Sequence, residues 1–133
     1  MEQLDVIALL HAAQMLERNV TVSLMYSGLR IWQYRLLEAL SLTGQSTVTE
    51  MSKKLHVTRA SASAMIAELI NADIVAVVDN PSDRRSFHVR LTDLGRDKLN
   101  VARRDLGVLQ SQISKQYPAE MLEMLNAFAR LMP

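Results

Sequence analysis

The side chains best suited to chemistry are cationic and hydroxylic, and they form two short clusters. One is Asp83-Arg84-Arg85-Ser86. The other is Thr58-Arg59-Ala60-Ser61, with Ser63 beyond it and Lys53-Lys54 just before it. A guanidinium presents several donors in a planar fork, which suits phosphate oxygens or the edge of a guanine. Hydroxyls can add short contacts to either. In an extended arm, residues two apart point to the same side, so Asp83 can hold the Arg85 guanidinium and fix its direction. The same pair on a solvated hairpin is worth little. Lys53 and Lys54 read equally well as solvated helix surface, and so do Ser61 and Ser63.

Nothing points to catalysis. The chain has no cysteine, so thiol nucleophiles, disulfides and thiolate metal sites are out. His11, His56 and His88 are scattered and have no metal-ligand spacing. There is no P-loop, dinucleotide fingerprint, nucleophile elbow or zinc motif. No catalytic residue, metal or cofactor is expected. The formal net charge is only +1. Between Gln45 and Gly95, Lys53, Lys54, Arg59, Arg84, Arg85 and Arg90 are balanced by Glu50, Glu68, Asp73, Asp79, Asp83 and Asp93. Any polyanion binding must rest on local placement of cations. The eight methionines lie mostly at apolar helical positions and read as core filling, though methionine can also line an adaptable pocket.

The elements that must position these clusters are mostly helical. The length of 133 residues fits one domain. No apolar run approaches the ~18 residues of a membrane span, and the acidic start Met1-Glu2-Gln3-Leu4-Asp5 is unlike a secretory signal. A cytoplasmic protein without a membrane partner is expected. Residues 2 to about 27 read as one long helix, with Val6, Leu9, Leu10, Ala13, Leu16, Val20 and Leu24 at helical spacing. Leu4, Ile7, His11 and Met15 widen that apolar surface, which predicts cover from more than one side and hence a second subunit. A helix over 31–42 is stopped by Gly44. Thr49 is expected to cap a short helix to Leu55, and Thr58 a longer one to about Ala72. Two helices joined by a tight turn at His56-Val57 make a helix-turn-helix.

Ile74–Val78 is β-branched, Asp79-Asn80-Pro81-Ser82-Asp83 is rich in turn formers, and Phe87–Leu91 alternates apolar and polar. This predicts a hairpin with an Arg-bearing tip, and the order helix-turn-helix then hairpin is that of a winged helix. Thr92 should cap a helix whose Leu99, Ala102, Leu106, Leu109 and Ile113 form a narrow seam, as between chains. Pro118 should open a last helix, lined by Met121, Leu125, Phe128 and Met132. The fold class is mainly α with a small β-hairpin wing.

The chain resembles the MarR family, the multiple-antibiotic-resistance regulators. The resemblance rests on Asp79-Asn80-Pro81-Ser82-Asp83-Arg84-Arg85 followed by Val89-Arg90-Leu91-Thr92-Asp93-Leu94-Gly95. These match the family's acidic-Pro turn, its Asp-x-Arg, and its Leu-Thr-x-x-Gly opening the next helix. In element order it covers essentially the whole chain. It implies a single domain, with residues 1–28 and 93–133 pairing two subunits and residues 30–92 forming a winged helix-turn-helix that binds double-stranded DNA.

On that resemblance, the helix from Thr58 would enter a major groove, offering Thr58, Arg59, Ser61 and Ser63. Asp83 would orient Arg85 at the wing tip toward a minor groove. Arg84, Ser86, Lys53 and Lys54 would touch phosphates. A small-molecule effector would sit between the first helix, the Trp32 helix and the helix after Thr92, with Trp32 and Tyr34 as candidate walls. The expected function is a ligand-responsive repressor, binding a pseudo-palindromic operator as a homodimer. Two positions depart mildly from the family's frequent glycine, His56 and Asp73. Both are expected to take a left-handed backbone, which His and Asp tolerate. Ala64 stands where another basic residue is frequent. The neutral DNA-facing region leaves open a winged-helix module that binds a protein, for example another regulator.

Overall fold

The computed structural model describes residues 2–79 and 87–132. Its elements run α1 (Val6–Ser23), α2 (Ile31–Thr43), β1 (Gln45–Thr47), α3 (Val48–Leu55), α4 (Arg59–Asn71), β2 (Val75–Val78), β3 (His88–Leu91), α5 (Asp93–Ser114) and α6 (Ala119–Leu131). Residues 80–86 lie outside the described residues, and with them the predicted roles of Asp83, Arg84, Arg85 and Ser86. No helix is long and apolar enough to cross a membrane, among the described residues.

The first helix is shorter than its apolar periodicity suggests. Asp5 caps it by accepting from the Ala8 amide at 3.0 Å. It ends at Ser23, and Leu24, which follows, is wholly buried in the core. The chain then turns through Gly28, at φ +75°. The Ser27 hydroxyl pins this turn, donating to the Leu24 carbonyl at 2.6 Å and accepting from the Leu29 amide at 3.2 Å. A further bond, from the Arg30 amide to Gln33 Oε1 at 2.9 Å, opens α2.

One core joins α2, α3, α4, the sheet and α5. Leu36, Leu37 and Leu40 of α2 meet Met51, Ile66, Leu69, Val89, Leu99 and Ala102, all at most 1% exposed. Leu99, Ala102 and Leu106 are thus buried within this chain, which corrects the reading of their seam as one between chains. Leu109 and Ile113, farther along α5, are only half-buried. By contrast, α1 and α6 bury no residue fully. Leu4 and Leu9 face Met121, Met124, Leu125 and Phe128 across an open apolar groove of about 490 Å³. Ile7 is 71% exposed. The methionines also depart from expectation. Among the described residues only Met51 is buried, while Met15, Met25, Met121, Met124 and Met132 are exposed.

The hairpin is part of a three-stranded antiparallel sheet in the order β1-β3-β2. Val75 pairs with Leu91 and Val78 with His88, while Gln45 pairs with Arg90 and Thr47 with His88. Strand β1 was not expected. Its pairing holds Thr47 extended, so the cap of α3 is Thr47 and not Thr49: its side chain accepts from the Glu50 amide at 3.1 Å. Pro118 is likewise the N-cap of α6 and not its first helical residue.

Candidate nucleic-acid interface

The turn between α3 and α4 takes the backbone that the resemblance implies. His56 takes φ 55°, ψ 44°, the left-handed region, and thereby reverses the chain within two residues. Asp73 does the same after α4, at φ 60°. Thr58 caps α4, its hydroxyl oxygen accepting from the Ser61 amide at 3.1 Å. The same hydroxyl donates to Ser61 Oγ at 3.0 Å. That leaves the Ser61 proton free to donate outward, to a base or a phosphate.

Ala62, Ile66 and Leu69 turn α4 inward onto the core. Helical geometry then sets Ala60, Ala64, Ala67 and Asn71 at the centre of the opposite face, with Glu68 and Ser61 on one flank, Ser63 on the other, and Arg59 in the first turn nearer the buried side. All are exposed. This strip of small side chains allows a helix to approach deep into a groove, and alanine methyls match the thymine methyl. Exposed alanines at 60, 64 and 67 were the available signal for this strip. Sequence reading weighed only Ala64, as a lost cation.

Lys53 and Lys54 are exposed in the last turn of α3, where cations also suit the negative helix end. Arg90, to which the sequence reading gave no role, projects from β3 between Gln45 and Ala76. Its Nη1 donates to the Leu91 carbonyl at 3.2 Å. Among the described residues from 45 to 95, Lys53, Lys54, Arg59 and Arg90 stand against five carboxylates.

The hairpin root is set by a close backbone approach. Gly95 lies against the Ile74 carbonyl so tightly that a Cβ would overlap its oxygen. Thr92 caps α5 by accepting from the Gly95 amide at 3.0 Å, and its hydroxyl donates to the Asp73 carbonyl at 2.6 Å, with the Ile74 carbonyl at 3.0 Å. One threonine thus joins the end of α4, the start of β2 and the start of α5.

The two candidate effector residues separate. Trp32 lines a cavity of about 1000 Å³ between α1 and α2, with Leu16, Val20 and Ile31 as apolar walls and Glu17, Arg30 and Arg35 among its polar ones. Tyr34 is not among the lining residues and lies instead beside Glu38 and Arg103. Burial, then the negative charge of Glu38, pushes its phenol pKa up, opposed by Arg103. No cluster of His, Cys, Asp and Glu able to hold a metal occurs among the described residues.

Residues 27–86 match the model of the MarR family. No curated protein matches the chain. Solved structures do. A point mutant of MarR from E. coli, complexed with operator DNA, is 22% identical, with a TM-score of 0.83 over 95% of this chain and 92% of that one. RV1404 of Mycobacterium tuberculosis is 25% identical, with a TM-score of 0.80 over 99% and 96%. The M. tuberculosis transcriptional regulator MOSR, in complex with DNA, is 23% identical, with a TM-score of 0.72 over 94% and 93%. The family model thus matches residues 27–86, and over nearly its whole length the chain shares the fold of solved MarR structures.

Proposed function

We propose that this chain is a cytoplasmic, homodimeric transcription regulator that binds a pseudo-palindromic operator and releases it when a small molecule binds. The observation that carries the reading is the exposed strip of α4. It is capped by Thr58, lined by small side chains, and left uncovered beside the wing root. Thr58, Arg59, Ser61 and Ser63 would meet the major groove. Lys53 and Lys54 would meet phosphates, joined by Arg84 and Ser86 at the wing tip, where Asp83 would orient Arg85 into the minor groove. Residues 1–28 and 93–133 would pair the subunits, because α1 and α6 leave wide apolar faces uncovered. The Trp32 cavity is the candidate effector site, and it takes Trp32 without Tyr34.

A second reading, a winged-helix module that binds a protein, draws on the balance of charge over the DNA-facing residues. Fluorescence anisotropy decides between them. Duplexes recovered by the protein from a random pool should bind far more tightly than unselected duplex, with affinity falling steeply as salt rises. Equal weak binding to both duplexes at low salt would sink the operator reading and favour the protein partner.

A further inference from the structure

Helix α5 grips α2 at two heights. Near its start, Lys98 Nζ donates to the Ser27 carbonyl at 3.2 Å, which tethers the turn before α2. Farther along, Arg103 Nε donates to Glu38 Oε2 at 2.9 Å and its Nη2 to Ser41 Oγ at 2.8 Å. Ser41 in turn donates to the Glu38 carbonyl at 2.8 Å. So one guanidinium is held by two acceptors almost a turn apart on α2, and one of them is itself oriented by the other's backbone.

We propose that Arg103, Glu38 and Ser41 form a brace that sets the angle of the winged-helix unit on α5. They are then positioning residues for DNA binding, although none lies on the exposed strip of α4. Apart from Tyr34, whose phenol lies beside Glu38 and Arg103, the core between α2 and α5 is aliphatic: Leu36, Leu37 and Leu40 with Leu99, Ala102 and Leu106. Such packing holds two helices together but has little directionality. A forked guanidinium on two acceptors is directional. The pair is 41% and 37% exposed, so it adds little to stability. Direction is what it contributes.

Angle matters because α4 is carried at a distance from this joint. A rotation of about 10° over an arm of roughly 15 Å, near the radius of a small domain, moves α4 by about 3 Å. That is close to the ~3.4 Å rise of one base. Room for the motion exists: a cavity of about 240 Å³ lies beside the brace, lined by Ser41, Gly44, Asn100 and Arg103 among others.

The test measures the angle without DNA. The chain has no cysteine of its own, so Ser63→Cys on α4 and Gln110→Cys on α5 can carry nitroxide labels. Labelled protein diluted into excess unlabelled protein reports a distance within one chain by pulsed electron spin resonance. The wild-type background should give one narrow distance. Arg103→Leu should broaden or shift it, Arg103→Lys should do so partly, and the exchanged pair Glu38→Arg with Arg103→Glu should restore it. Should Arg103→Leu fail to fold, Arg103→Lys carries the same comparison. A distribution unchanged by loss of the fork overturns the brace.

The role in DNA binding rests on the proposed function and is read separately. Affinity for a duplex selected by the wild type should fall by about tenfold in Arg103→Leu and recover in the exchanged pair. A changed distance with unchanged affinity overturns the positioning role and leaves the brace. A wild type that binds no duplex overturns the proposed function, while the distance measurement still decides the brace.

Discussion

Replacing Gly95 by alanine sets two effects of opposite sign against each other. Helix propensity alone predicts stabilisation, up to about 1 kcal/mol for glycine to alanine inside a helix. The structure predicts the reverse, because the new Cβ would overlap the Ile74 carbonyl oxygen, a backbone atom that cannot swing aside. That carbonyl accepts from the Thr92 amide at 3.1 Å, with the Thr92 hydroxyl at 3.0 Å. Displacing it strains or breaks these bonds, each worth about 1 kcal/mol, with more lost if the acceptor is left buried and unpaired. After the propensity gain is subtracted, Gly95→Ala should destabilise by roughly 1–3 kcal/mol. Gly107 is the control, since nothing lies within 4 Å of its would-be Cβ. Gly107→Ala should stabilise by up to about 1 kcal/mol. Urea unfolding at one fixed protein concentration measures both, because association would make stability concentration-dependent. A Gly95→Ala protein as stable as the parent, or more so, would refute the close approach and with it the account of the wing root. A loss at Gly107 alone would mean that a second chain fills that space.

Thr58→Ala should cost about 1 kcal/mol as a lost N-cap, and Thr58→Ser should retain most of it, in the same unfolding assay. Ile7→Asp should leave a monomer nearly unaffected, since Ile7 is 71% exposed in one chain, yet should weaken the dimer by at least about tenfold in sedimentation. Arg59→Ala should relax sequence preference at one base pair in each half-site and change the dependence of log affinity on log salt little; a slope shallower by about 2 in a dimer, with preference unchanged, would make Arg59 a phosphate contact instead. Tyr34 is pushed above the ordinary tyrosine value of 10.0, so the folded state holds its proton more tightly than the unfolded chain. Its stabilising share is therefore full below that value and is lost as pH rises through the raised one. Tyr34→Phe should remove this part of the alkaline destabilisation, read by unfolding across that range.

How much was legible before folding divides along a physical line. Caps are local chemistry, so Thr58 and Thr92 could be read directly from residue type and context, whereas the left-handed backbone at His56 and Asp73 was expected from the glycines frequent there in the family the chain resembles. Where two candidates lay side by side, local chemistry did not choose. Thr47 and Thr49 are equally competent caps, and Thr47 wins because it is held extended against His88 in a strand of three residues. That strand is itself silent in the sequence, since its partner comes some forty residues later. Periodicity identified the apolar stripe of α5 but not what covers it. Leu99, Ala102 and Leu106 turned out to meet α2 in the same chain, leaving only the farther end to face elsewhere. The link from Arg103 to Glu38 spans 65 positions, and no local pattern could announce it. Trp32 and Tyr34, two apart on α2, read as one site in the sequence. They fall on different sides of the helix, one toward α1 and the other toward α5.

This division bears on how the interface can work. The cations from 45 to 95 among the described residues do not outnumber the carboxylates, and the centre of the α4 face is alanine and asparagine. Coulomb attraction alone would hold such a surface to DNA weakly. Small side chains also cannot reach across a gap, as a long arginine can. On the proposed function, what remains beside the wing-tip cations is close fit, which would demand that α4 be presented to the groove at a fixed depth and angle. The features that fix it lie outside the strip: the Thr58 cap and His56 turn at its start, Thr92 and Gly95 at the wing root, and the hold of Arg103 on α2. A surface that depends on fit more than on charge is sensitive to small rotations. A ligand between α1 and α2 would then need to shift α2 only slightly to release DNA, without touching any residue that contacts it.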